Sequence, residues 1–402
     1  MSTVFRSFLY YSLILYFISI IVFLQNYNQV TYIINIFLWI SFIIVIVSER
    51  IKVFSVNGVI NYYFFFILYG LFSSFWAIET FDTIFRSLQL FIILINLFVI
   101  WNAFEKFNFE YTFIYGILIS VIINYLLIFG VFHVPFDIVM QGGGARVMGT
   151  VGSPNTLALL MILSMLVSIY VIEVKNNINK FIYFLLYVNI FVSLYIIVLT
   201  ISKKGILFGF FLFFIYILFL LKRVKNILKI FISLILFSVA IYNFVGIETL
   251  NNNLERVKSR FSYMSEAFES KVVTLNSTTY RKILIKDGLE KFQNKPLLGY
   301  GLDNYKYVSV IKEYAHNNYV ELLASLGIIG TFLYYAMYVY TLNEIRYMRK
   351  SNIKYFLFIF LLVILLMDIA LVSYGSRMHL YTLIFISFII RKHIIKENRI
   401  KI

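Results

Sequence analysis

Cysteine is absent from the 402 residues, so disulfides, iron–sulfur clusters and thiolate chemistry are excluded, and nothing follows about redox compartment. Proline occurs three times, and charged residues make up only 13% of the chain, against about a quarter in soluble globular domains. Chemical signatures are missing too. No two aspartates stand two positions apart, so the Asp-x-Asp metal motif of nucleotide-sugar transferases is lacking. There is no G-x-x-x-x-G-K-S/T phosphate loop and no H-E-x-x-H zinc pair. What fills the chain instead is apolar: 61% hydrophobic residues, one fifth aromatic, and a mean hydropathy of +0.88. A water-soluble fold of this size cannot hide that much apolar surface, so lipid must be the solvent for most of it. In lipid every backbone polar group needs an internal partner, which favours helices, and the apolar runs are too long and continuous for barrel strands.

Twelve helices are expected, at about 7–24, 30–47, 58–76, 83–101, 111–132, 154–173, 181–200, 204–221, 227–246, 317–341, 355–374 and 378–391. The first run lacks a cleavage site after it and reads as a retained helix. With the N-terminus inside, the short internal segments and the C-terminal tail hold clusters such as Arg346, Arg349, Lys350 and Lys354, or Lys222, Arg223, Lys225 and Lys229. The short external loops hold only Arg146, Lys203, Lys204 and Arg377, a strong positive-inside bias. This orientation accounts for most of the formal charge of +16 without nucleic acid as a partner. The fold class is thus an all-α integral membrane protein. Residues 1–246 would carry helices one to nine, 247–315 a long external loop, and 316–402 helices ten to twelve with a cytoplasmic tail.

That external loop is long enough to fold. Val257, Phe261, Met264 and Phe268 recur at helical spacing, and a second helix is expected over about 279–293, with Leu284, Ile285, Gly288, Leu289 and Phe292 on one side. Both read as amphipathic helices lying on the membrane or on the bundle.

Four stretches on the expected outer side depart from the apolar pattern. The first runs from Arg146 to Asn155 and includes Ser153-Pro154, a good helix start. A helix N-terminus beside an arginine is an anion site, or simply a capped helix with an arginine nearby. The second, Ser202-Lys203-Lys204-Gly205, puts two lysines against the orientation rule, either snorkelling to headgroups or aimed at a bound anion. The third comprises Arg281 and the run Pro296-Leu297-Leu298-Gly299-Tyr300-Gly301, with Arg256 and Arg260 on the neighbouring helix as an i, i+4 pair or as solvated charge. The fourth is His316-Asn317, where the tenth helix enters, followed by Glu321, Gly327 and Gly330. An imidazole there is suited to act as a general base. Glu321 is open between helix packing and orienting His316. Helices six, eight and ten all start outside. If those ends converge they form a positive cleft with one base, suited to a diphosphate whose charge grows as it leaves.

In this order and at these places the four stretches resemble the O-antigen ligase and polymerase family, which includes Wzy polysaccharide polymerases and WaaL-type ligases. The matching residues are Arg146, Gly149 and Pro154-Asn155; Ser202 to Gly205; Arg281; Pro296 to Gly301; and His316-Asn317 with Gly327 and Gly330. Lys203 stands where the family has arginine, which keeps the charge and loses the bidentate fork. The resemblance implies a GT-C-like membrane fold in the bacterial cytoplasmic membrane and an inverting, cofactor-free and metal-independent glycosyl transfer at its outer face. The donor would be an oligosaccharide on undecaprenyl diphosphate and the acceptor a saccharide hydroxyl. Arg146, Lys203 and Arg281 would hold the diphosphate, with Lys204, Ser202, Asn155, Asn317, Arg256, Arg260 and Glu321 lining the substrate site, and His316 would take the proton. A flippase and chain-length regulators are the protein partners so implied. Repeat-unit polymerase for O-antigen or capsule, ligase of the same fold, and lipid-linked saccharide flippase or transporter are the readings in order of preference. Few charges lie mid-helix, Arg86 and Asp368 being the candidates, and no repeat is visible, which disfavours transport.

Overall fold

The computed structural model describes residues 2–23, 28–131, 140–141, 146–174, 179–221, 255, 277–369 and 371–399. The helices are α1 (Ser2–Val22), α2 (Asn28–Glu49), α3 (Gly58–Phe72), α4 (Thr80–Phe107), α5 (Tyr111–Ile128), α6 (Pro154–Val174), α7 (Lys180–Leu199), α8 (Lys203–Leu221), α9 (Ser277–Asn294), α10 (Asn318–Tyr347), α11 (Asn352–Met367) and α12 (Arg377–Arg399). Nine stretches among the described residues are long and apolar enough to cross a membrane, and α11 is a shorter apolar helix. The protein is an all-α integral membrane protein, its only described strands being β1 (Met140–Gln141) and β2 (Arg146–Val147), paired antiparallel. Eleven of the twelve expected spans carry a helix. The ninth, 227–246, and the amphipathic stretch at 254–268 lie outside the described residues, apart from Glu255.

Two compact units divide the chain. Unit 1 holds residues 1–16, 33–113 and 272–402, and unit 2 holds 17–32 and 114–271. In unit 2, α6 is almost wholly buried and packs against α7 and α8. In unit 1, α10 packs on α3 and α9, while α4 packs on α3 and α12. The cytoplasmic ends expected from the sequence gather at one end of unit 1. There Arg6 forks onto Glu49 at 2.5 and 2.8 Å, and Arg391 and Lys392 pair with Glu105 and Glu110. These pairs explain why α4 and α12 run past the boundaries expected near 101 and 391. The opposite end holds the α3–α4 turn, residues 295–317 and the α11–α12 loop. Tyr374 donates to Asp303, and the Asn304 side chain accepts from the Glu79 amide.

One boundary differs in kind. The expected continuous helix at 317–341 is broken at Gly327, whose φ of 63° and ψ of −165° no helix contains. A break frees backbone groups that lipid cannot satisfy. The Pro296–Gly301 run supplies the missing partners. Tyr300 N donates to Ala324 O at 3.2 Å, Gly301 N to Ser325 O at 2.8 Å, and Ile328 N to Pro296 O at 2.9 Å. The Tyr69 hydroxyl donates to Leu326 O at 3.3 Å. Below the break, residues 328–347 are about 30 Å long at 1.5 Å per residue, the thickness of a hydrocarbon core. The first turns of α10 are therefore a separate short helix under the 295–317 segment.

α9 lies on α10, as expected for a helix resting on the bundle, but its inner face is not wholly apolar. Leu289 is 41% exposed, and Asp287 faces inward in its place. Asp287 is tolerated there because it accepts from the Tyr305 hydroxyl at 3.0 Å and Val310 N at 3.3 Å.

Gly327→Ala meets two obstacles: the left-handed φ, and a Cβ placed 2.3 Å from Leu297 O. It is expected to destabilise the chain by about 1–3 kcal/mol or more. Gly130→Ala, at φ +74° with nothing within 4 Å, faces only the first. Thermal unfolding in detergent, followed by intrinsic fluorescence, should show the larger drop in midpoint for Gly327→Ala; equal drops would contradict the tight seat given to Gly327.

Candidate functional site

Unit 2 brings together the first two of the four stretches. α6 starts as expected at Ser153-Pro154, where Thr156 N donates to Ser153 Oγ at 3.1 Å. α8 is capped by Ser202, whose Oγ accepts from Gly205 N at 3.2 Å and donates to Asn155 Oδ1 at 2.8 Å. A Cβ on Gly205 would stand 2.5 Å from the Ala158 Cβ, so the N-terminal turns of α6 and α8 touch because position 205 has no side chain. Arg146, on β2, donates from Nε to Thr200 O at 3.0 Å and so joins the same turn. Lys203 and Lys204, both partly buried, open α8 at its positive dipole end.

Unit 1 brings together the third and fourth. His316 sits at φ +50°, an uncommon conformation that histidine tolerates better than most residues and one that often accompanies functional sites. Asn317 follows as the N-cap of α10, its Oδ1 accepting from Val320 N at 3.2 Å. The His316 ring packs on Tyr314 with centroids 4.1 Å apart, and its Nε2 is 3.9 Å from Glu313 Oε2. Tyr314 also interacts electrostatically with Arg281, at the start of α9, and burial lowers the affinity of that guanidinium for its proton. Burial likewise raises the Tyr314 phenol, with Glu313 adding to the shift and Arg281 opposing it. Tyr280, next to Arg281, is pushed up to about 12 by burial and then by its hydrogen bond to Glu313. Tyr314 thus neighbours both groups, His316 by ring contact and Arg281 through its charge.

Glu321 is 2% exposed. Its Oε2 accepts from Ala315 N at 2.7 Å and its Oε1 from Ser325 Oγ at 3.4 Å, so it fixes the backbone that delivers His316. Arg256 and Arg260 lie outside the described residues.

Sequence reasoning missed Glu313 and Tyr314, because acidic and aromatic residues in this loop carry no local contrast. It also missed Asn318. Its backbone N donates to Asp368 O at 2.8 Å, and its Oδ1 accepts from Ser373 N and Tyr374 N at 2.9 and 3.0 Å. One carboxamide therefore fastens the start of α10 to the loop after α11, and α11 ends at Met367 rather than near 374.

No curated protein matches the chain. Residues 188–335 match the family described as O-Antigen ligase, a range that includes the Ser202–Gly205 turn, Arg281, the Pro296–Gly301 run, His316-Asn317 and the break at Gly327. Within this multi-pass membrane protein, that segment matches the O-antigen ligase family and supports the resemblance to the O-antigen ligase and polymerase family.

Proposed function

We propose that the protein is a polysaccharide polymerase of the cytoplasmic membrane. It transfers a saccharide from undecaprenyl diphosphate to a sugar hydroxyl at the outer face, with inversion. The observation that carries this reading is the His316 imidazole packed on Tyr314 beside the N-terminus of α10, with the Arg281 charge acting on the same phenol. The acceptor hydroxyl attacks the anomeric carbon as the bond to the diphosphate oxygen breaks. Its proton passes to His316, and the electron pair leaves with the lipid diphosphate. In unit 1, Arg281 stabilises that growing charge and Asn317 lines the site. In unit 2, the turn that gathers Arg146, Lys203, Lys204, Ser202 and Asn155 serves as a phosphate-binding end. The expected positive-inside orientation puts the 295–317 end of unit 1 outside, where a donor activated on lipid is at hand and nucleotide sugars are not.

The family description itself favours a second reading, a ligase that moves finished glycan to a surface acceptor. Lipid analysis of a deletion strain separates the two. Accumulated undecaprenyl-linked single units support the polymerase, and full-length polymer held on lipid supports the ligase.

His316→Ala and Arg146→Ala are each expected to reduce transfer by about 100-fold or more while inserting into the membrane normally. Polymer length on gels, in a strain lacking the wild-type copy, measures this. Wild-type length on either background would count against the site, as would abolition of transfer by a metal chelator. Because the chain has no cysteine, sidedness is also measurable directly. Leu297→Cys, 61% exposed in the native chain, should react with an impermeant maleimide on intact cells, and Lys350→Cys only after permeabilisation.

A further inference from the structure

Unit 2 contains a buried contact that the transfer chemistry does not use. Asn124 lies near the C-terminal end of α5 and is fully buried. A carboxamide in an apolar span is costly unless its groups are bonded. Here Nδ2 donates to Ser120 O at 2.9 Å and to Thr150 Oγ1 at 3.1 Å. Oδ1 accepts from Thr150 N at 3.0 Å. Thr150 thus meets one carboxamide with both its backbone and its hydroxyl, and the hydroxyl also donates to Ile21 O at 3.4 Å. Residue 149 makes room for the contact. Gly149 has φ +57°, and a Cβ there would stand 2.2 Å from Asn124 Oδ1, so a side chain at 149 would displace the carboxamide.

The Asn124–Thr150 contact sits between two members of the Arg146 turn. Before Thr150 comes Arg146, which donates to Thr200 O at 3.0 Å. After it comes Asn155, which accepts from Ser202 Oγ at 2.8 Å. Between them the backbone is left-handed at Gly149 and again at Gly152, with φ +57° and +74°. Glycine leaves a chain conformationally free, so a path through two of them needs an outside tie to hold one shape. Asn124 supplies that tie, because it grips the residue between the two glycines at two points. We propose that Asn124, acting through Thr150, is a positioning residue for the phosphate-binding end of unit 2. It sets where Arg146 and Asn155 stand relative to the N-terminus of α8. The carboxamide is taken up by these bonds and acts on the ligand only through the turn it holds. This role rests on the reading of that turn as a phosphate-binding end. Neither Asn124 nor Thr150 lies within the 188–335 match.

The test uses the full chain in neutral detergent, immobilised on beads. The probe is radiolabelled farnesyl diphosphate, a short polyprenyl diphosphate, with inorganic diphosphate as competitor. Asn124→Ala is expected to weaken displaceable binding by about 10-fold or more, since misplacing a group by about 1 Å can cost about 100-fold. Asn189→Ala is the comparison. Asn189 is a second bonded carboxamide of unit 2, but it donates to Ser164 Oγ and Ser168 Oγ at 2.7 and 2.8 Å and accepts from the Tyr125 hydroxyl at 2.8 Å, not from the 146–155 segment. Its loss should lower the thermal midpoint as Asn124→Ala does, yet keep wild-type affinity. Should Asn124→Ala fail to fold, Thr150→Val and Thr150→Ser decide. The first removes the hydroxyl and should weaken binding; the second keeps the hydroxyl and should bind as wild type. Wild-type affinity in Asn124→Ala and Thr150→Val, with Arg146→Ala weakened, would overturn the proposal and leave the phosphate-binding reading intact. Equal weakening by Asn189→Ala would do the same. A wild-type chain that binds no displaceable probe would overturn both.

Discussion

The break in α10 and its repair by the Pro296–Gly301 run is the interaction on which the rest of unit 1 depends. A helix in lipid can be interrupted only where something replaces its lost hydrogen bonds. Here the replacements are backbone amides of Tyr300 and Gly301, the carbonyl of Pro296 and the Tyr69 hydroxyl. Trp76 adds a tie by donating to Leu298 O at 3.2 Å. This join fixes the 295–317 segment over the α3–α4 turn and lets α9 rest on the first turns of α10. Gly288 makes the α9–α10 contact close, since a Cβ there would stand 2.3 Å from Val320 Cγ1. Arg281 and His316 owe their proximity to that packing.

The polar groups of unit 1 extend the same rule inward. Trp39 donates to Asn96 at 2.7 Å, Asn96 to the Tyr16 hydroxyl at 2.8 Å, and the Tyr16 and Tyr381 hydroxyls bond at 2.6 Å. Tyr16, Asn96 and Tyr381 are buried and Trp39 half-buried, and the chain of bonds ties α1, α2, α4 and α12 together.

Much of the fold was legible because the solvent is lipid. A span must be long and apolar, so run length alone located α1 to α8 and α10 to α12. Caps such as Ser153-Pro154 and Asn317 were legible because they are local. The glycines at 299, 301, 327 and 330 stood out as a pattern, but their purpose was not, since a helix break and its repair are about 30 residues apart in sequence and meet only in the fold. Asp287 illustrates the same limit. A periodicity reading puts leucine inward at 289, and only the Tyr305 hydroxyl explains why an aspartate is buried instead. The candidate residues divided likewise: Arg146, Ser202, Arg281 and His316 were singled out from their order along the chain, while the Tyr314 ring contact and the Asn318 bonds required coordinates.

The repaired break also bears on how the chain is made. Tyr69, Trp76 and residues 296–301 all precede position 327 in the sequence, so every group that saturates the interrupted helix leaves the ribosome before the interruption does. The discontinuous segment can be handed to the bilayer with its partners already synthesised, and at no stage of biogenesis must those open carbonyls wait for a later part of the polypeptide.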